Sequence, residues 1–157
     1  MSYDTRGRLS SVTLGSSITI KYHYDHRGRL LARNSNGDLT QYFYSAHKPN
    51  LISHVYKPQT GQLTTLLYNH QDRLIFMAID NQEFYVTTDK NGSPLLVLTP
   101  DGGIIKEITR TPYGDVTYDS NQNLEIPLGF QGGYYDNLVN LVHFQPNQVV
   151  SLGKLKS

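Results

Sequence analysis

Tyr3-Asp4-Thr5-Arg6-Gly7-Arg8-Leu9 returns as Tyr24-Asp25-His26-Arg27-Gly28-Arg29-Leu30, 21 positions later and with one residue changed. Self-similarity at a fixed spacing marks a chain built from one supersecondary unit used repeatedly. A looser copy is Tyr68-Asn69-His70-Gln71-Asp72-Arg73-Leu74, in which Asp72 stands where the others have glycine. Fainter echoes occur at Tyr56-Lys57-Pro58-Gln59-Thr60-Gly61-Gln62-Leu63 and at Thr88-Asp89-Lys90-Asn91-Gly92-Ser93-Pro94-Leu95. Between them lie further turn signals at Asn34-Ser35-Asn36-Gly37-Asp38, Asp80-Asn81-Gln82 and Pro100-Asp101-Gly102-Gly103. The unit reads as strand, turn, strand, turn, with about ten residues for each strand and its turn.

Each residue type in the motif suits a hairpin. The aspartate accepts hydrogen bonds from turn amides and starts the reversal. The glycine three positions on supplies the positive φ that a short loop needs. A five-residue loop from Asp25 to Arg29 sets Tyr24 opposite Leu30, an aromatic–aliphatic cross-strand pair worth about 0.2–1 kcal/mol. Arg29 then sits beside Asp25. By the same reading Tyr3, Asp4, Gly7, Arg8 and Leu9 form the first turn.

Composition points the same way. Only three Ala and three Glu are present, whereas Thr, Tyr, Val, Ile and Phe make up 48 of the 157 residues. Helix formers are scarce and residues that suit a pleated, half-buried surface are abundant. Ile18, Ile20, Tyr22 and Tyr24 alternate with Thr19, Lys21 and His23, one face apolar and the other polar. Leu74–Ile79 and Leu95–Leu98 are apolar on both faces and call for cover on both sides. The expected fold is all-β: repeated antiparallel hairpins stacked into a curved, open sheet.

Several functions are excluded or disfavoured. The absence of cysteine excludes disulfides, thiol catalysis and cysteine-held zinc. Fourteen Lys and Arg against thirteen Asp and Glu leave a net charge of +1, unsuited to gripping nucleic-acid phosphates. The basic turns at Arg6, Arg8, Arg27 and Arg29 are expected to pair with their own aspartates. No nucleophile elbow, zinc-binding His-Glu-x-x-His or phosphate loop occurs. His23 and His26 have no obvious third metal ligand. The sequence thus predicts no enzyme, no metal or other cofactor and no small-molecule substrate. Asn91-Gly92-Ser93 is an N-glycosylation sequon, with Pro94 and a tight turn working against its use. No stretch approaches a membrane-spanning helix, and Met1-Ser2-Tyr3-Asp4 shows no signal-peptide pattern, so secretion requires a longer precursor.

The Tyr-Asp-x-x-Gly-Arg-Leu units resemble the tyrosine-aspartate repeats of bacterial Rhs proteins and animal teneurins. Gln82–Leu95 and Ile105–Gly114 resemble the last repeats of teneurins in particular. Gly129–Asp136 and Asn140–Phe144 resemble the start of the segment that closes the repeat shell. The resemblance implies hairpin repeats over 1–128, a closing segment over 129–144 and an atypical, disordered tail over 145–157. After Leu141-Val142-His143-Phe144 the family's Arg-Asp-Tyr-Asp and Gly-Arg-Trp pattern is absent, as is the aspartate pair that cleaves Rhs relatives.

What the resemblance implies about function is a non-enzymatic part of an extracellular, plasma-membrane-anchored adhesion and signalling protein of neural development. Its partners would be latrophilin-type receptors, other teneurins and the rest of its own shell. The alternative is a wall segment of a bacterial toxin-encapsulating Rhs shell. With the closing segment incomplete, the inner face is expected to stand open, exposing Tyr22, Phe76, Ile79 and Leu96. Open sheet edges then predict marginal folding or self-association.

Overall fold

The computed structural model describes residues 1–15, 17–136, 141–144 and 148–151. Twelve antiparallel strands follow one another across a single sheet, each paired with its sequence neighbours. They are β1 (Ser2–Tyr3), β2 (Leu9–Leu14), β3 (Ile18–Tyr24), β4 (Leu30–Ser35), β5 (Asp38–Tyr44) and β6 (Ile52–Lys57). There follow β7 (Gln62–Tyr68), β8 (Leu74–Ile79), β9 (Gln82–Thr88), β10 (Pro94–Leu98), β11 (Ile104–Arg110) and β12 (Val116–Asp119). A second, three-stranded sheet comprises β13 (Tyr134–Asp136), β14 (Leu141–Phe144) and β15 (Gln148–Ser151). The architecture is all-β and open; among the described residues, the only helical turn is Phe130–Gly132, and no helix is long and apolar enough to cross a membrane.

The register repeats with the sequence. Tyr3 pairs with Leu9, Tyr24 with Leu30, Tyr44 with Ile52 and Tyr68 with Leu74, each beside a bulge. The pattern persists where the motif has decayed, as Thr88 with Pro94 and Arg110 with Val116. A bulge adds a residue to one strand and bends it, which turns each strand end into its loop in the same way.

The inner face of the large sheet carries the core: Val12, Ile20, Leu30, Tyr42, Val55, Leu66, Met77, Val86, Val97 and Ile108 from successive strands. Ile126, Leu128, Tyr134 and Leu141, from the segment after β12, complete the same cluster. That segment corrects the expectation of an open inner face. Tyr22 is only 3% exposed, and Ile79 packs against the core. Phe76 and Leu96 are partly buried and sit on the other face, where Phe76 pairs with Leu67 and Tyr85. The chain's own residues 124–136 and 141–144 supply the cover, so a continuing shell is not needed to bury Tyr22.

The expected two-sided cover of β8 is also corrected. Leu74 and Met77 are buried, whereas Ile75, skipped at the bulge, stays 43% exposed beside Phe76, whose cross-strand partners Leu67 and Tyr85 are exposed too. Nothing of this chain lies over the outer face among the described residues. In the tail, Gln148–Ser151 is strand, paired with β14, rather than disordered. Positions 145–147 and 152–157 lie outside the described residues.

Candidate functional site

The turns come first, because the motif residues meet there. Asp25 Oδ1 accepts hydrogen bonds from the backbone N–H groups of Arg27 and Arg29, at 2.9 and 3.0 Å. Its Oδ2 accepts from Arg29 Nε at 2.8 Å. Asp4 makes the same three bonds with Arg6 and Arg8. Asn69 reproduces the two amide bonds with Gln71 and Arg73. Gly7 and Gly28 take φ of 78° and 82°. Asp72, in the corresponding place, holds φ 63° despite its side chain. The Arg8 backbone N–H, with its guanidinium, holds the Asp4 carboxyl below the usual range. For Asp25 partial burial works upward, and the Arg29 and Arg27 hydrogen bonds outweigh it to leave a lowered value.

The arginines do more than serve their own turns. Arg8 Nη1 donates to the Asp25 carbonyl in the next turn, and Arg29 Nη1 donates to the Pro49 carbonyl in the turn after that. Lys48 Nζ reaches the Asn69 carbonyl, and Arg73 Nη2 the Lys90 carbonyl, each at 2.7 Å. Four cations thus link five successive turns along one end of the strands. The tyrosines bond in the opposite direction: Tyr24, Tyr44 and Tyr68 donate their hydroxyls to the carbonyls of Leu9, Leu30 and Ile52. Arg8 and Arg29 lie over the rings of Tyr24 and Tyr44, at 5.0 and 4.6 Å. Burial pushes the Tyr24 hydroxyl up to about 12, so it remains a donor at neutral pH.

The second polar constellation lies between the two sheets. β13 presents Asp136, whose Oδ2 accepts from the Tyr22 hydroxyl at 2.6 Å and from Arg33 Nε at 2.7 Å. Its Oδ1 accepts from Arg33 Nη2 at 3.2 Å. The Tyr42 hydroxyl donates to the Tyr134 hydroxyl, with their rings edge-on at 4.7 Å. His143 on β14 tilts against Tyr22, the ring centroids 4.6 Å apart. Asp136 and His143 are each 2% exposed. Burial, then Asp136, drives the Tyr22 hydroxyl well above its ordinary value. Burial opposes the Arg33 charge, yet its bond to Asp136 carries the guanidinium above its ordinary range. Lys106 closes the far side: its buried amino group donates to Asp119 Oδ2 and to the carbonyls of Asn121 and Leu124.

Sequence reasoning names Lys106, Asp136 and His143 only as parts of resembling blocks, and it misses Arg33 and Tyr42 altogether. Their partners lie between 13 and 114 positions away, and no period in the sequence points to them. A buried polar residue on an apolar strand face, such as Arg33 or Lys106, is the one available signal. Asn91 is exposed at the tip of its turn, whereas Gly92 and Ser93 are buried, and Ser93 Oγ accepts from the Gln131 backbone N–H. No group of three His, Cys, Asp or Glu residues among those described is placed to hold a metal ion. Apart from the His143 ring nitrogens, the polar side chains named in turns and seam are directed at partners on neighbouring elements or in their own turn, an arrangement that joins elements.

A family model described as the teneurin YD-shell matches residues 1–151. The chain is 40% identical over 146 residues to Teneurin-3 of Danio rerio, an alignment covering 90% of this chain and 5% of that protein. It is 36% identical over 148 residues to Teneurin-m of Drosophila melanogaster, covering 93% of this chain and again 5% of the relative. The chain therefore spans about one twentieth of the length of these relatives. Among solved structures, the TcdB2-TccC3 crystal structure superposes with a TM-score of 0.70 at 18% identity, covering 96% of this chain and 8% of that one. The Photorhabdus luminescens Tc holotoxin pore superposes with a TM-score of 0.67, also at 18% identity, covering 95% of this chain and 8% of that one. At those identities the likeness is one of fold.

Proposed function

The chain belongs to the teneurin YD-shell family, and from that premise we propose that it acts without catalysis, as a load-carrying wall in an extracellular adhesion and signalling protein. The observation that carries the reading is the linkage of successive hairpins, turn to turn by Arg8, Arg29, Lys48 and Arg73 and sheet to sheet by Asp136. Such links make neighbouring repeats rigid with respect to one another, as a platform for recognition requires. Its place is outside the cell on a membrane-anchored protein, and its partners are latrophilin-type receptors, other teneurins and the remainder of the shell. Identities of 36–40% to teneurins, against 18% to the Tc-toxin structures, support this reading over that of a toxin-encapsulating wall. The turn residues Tyr3 to Leu9 and Tyr24 to Leu30 are proposed as joints of the wall, with no role in contacting partners.

The test is cell mixing. Cells displaying the 157-residue chain on a membrane anchor are mixed with cells carrying latrophilin-type receptors or teneurins, and clustering above that of anchor-only cells is expected. A folded, displayed chain that clusters with neither would overturn the adhesive role. Loss of a hydrolytic activity on changing one named side chain would overturn the non-enzymatic role.

A further inference from the structure

β14 carries His143 onto the inner face of the large sheet, where two aromatic rings enclose it: Tyr22 of β3 at 4.6 Å and Tyr134 of β13 at 5.5 Å. Neither ring nitrogen has a hydrogen-bond partner among the described residues. The charged groups facing it are Asp136 of β13 and Arg33 of β4, and the titratable ones are the Tyr22 and Tyr134 hydroxyls. Asp136 already accepts from Tyr22 through Oδ2 and from Arg33 through both oxygens. A proton added to the imidazole therefore finds no hydrogen-bond acceptor in place, and the resulting charge is drawn by Asp136 and repelled, more weakly, by Arg33, while burial denies it water. An unpaired buried charge is among the costliest features a protein interior can hold.

We propose that His143 is an acid-operated latch: its protonation frees the three-stranded sheet β13–β15 from the inner face of the large sheet and uncovers that face. Burial holds the imidazole down to about 4 from its ordinary 6.5; Asp136 pulls the other way, and the smaller effect of Arg33 adds to the lowering. The closed form thus binds the proton more weakly than the open form. The latch is whole above pH 6.5 and fails as the pH falls towards 4. With those two values the balance tips towards opening by roughly fifty- to hundred-fold at pH 4.5. The turn links do not follow it, because Asp4 and Asp25 sit below their ordinary values and stay ionised over this range.

Hydrogen exchange on the 157-residue chain at pH 7.5, 5.5 and 4.5, corrected for chemical exchange rates, is the test. Amides of 134–136 and 141–144 should lose protection by roughly fifty- to hundred-fold between the extremes, while those of β2 to β9 keep theirs. His143→Phe retains a ring and removes the proton site, and should hold protection to pH 4.5; His143→Gln serves if the first variant misfolds. Unchanged protection in the wild type, equal loss in a folded variant, or loss across β2 to β9 at the same pH would each overturn the latch. So would an ordinary imidazole titration of His143 near 6.5, read by proton NMR on the wild type.

Discussion

The turn end of the sheet and the seam between the sheets are both polar, yet they are organised on opposite principles. At the turns each link spans 14 to 21 positions and recurs, as Tyr44 to Leu30 or Lys48 to Asn69. In the seam Tyr22 reaches across 114 positions and Arg33 across 103, and each bond occurs once. Many exposed or half-exposed links of modest strength tolerate a change of residue, as the turn at Asn69 and Asp72 keeps both its amide bonds and its links to neighbouring turns. A single desolvated set has no substitute. Redundancy stabilises the wall along its length, while the seam decides whether the inner face is covered.

The largest expected effect is in the seam. Asp136→Ala leaves Arg33 and the Tyr22 hydroxyl without their carboxylate, and removing one partner of a buried ion pair costs about 3–5 kcal/mol. Urea denaturation should show that loss, and a cost under 1 kcal/mol would erase the distinction drawn between seam and turns.

Glycine in the turn comes next. Gly28→Val forces a β-branched residue to φ 82° and should cost about 1–3 kcal/mol, whereas His26→Ala, at a position that varies between copies, should cost little. Equal melting temperatures would mean that the loop does not need the left-handed residue. A smaller loss is expected at the inter-repeat links. Tyr44→Phe removes the hydroxyl that donates to the Leu30 carbonyl while keeping the ring under Arg29, and should cost about 0.5–1.5 kcal/mol. Tyr24→Phe should match it if the links are equivalent, and a cost as large as that of Asp136→Ala would show that they are not redundant. The smallest effect is at Asn91. Its sequon serine is buried against Gln131, so secreted protein should show no glycan by mass spectrometry and Asn91→Gln should leave the melting temperature unchanged.

How much of this was legible beforehand differs between the two regions for the same reason. Tyr24, Asp25, Gly28, Arg29 and Leu30 lie within one loop, and loop chemistry acts over four or five residues, so the motif alone places them together. The sequence marks the arginines as local because their charge is balanced locally. Their second donor, reaching the following turn, depends on how closely the next hairpin stacks. The missing later motifs of the closing segment predict an open inner face, yet residues 124–136 and 141–144 suffice to cover it.

The sequence by itself determined the all-β class, the hairpin repeat, the alternation of β3 and the turn positions. Period-two burial and loop conformation are properties of neighbours along the chain. Only the tertiary structure decided that Asp136 meets Tyr22 and Arg33, that Lys106 holds the 119–124 crossing, and that His143 is enclosed without a partner. The strength of a buried polar contact depends on distance and desolvation in space, and neither leaves a period in the sequence for a reader to find.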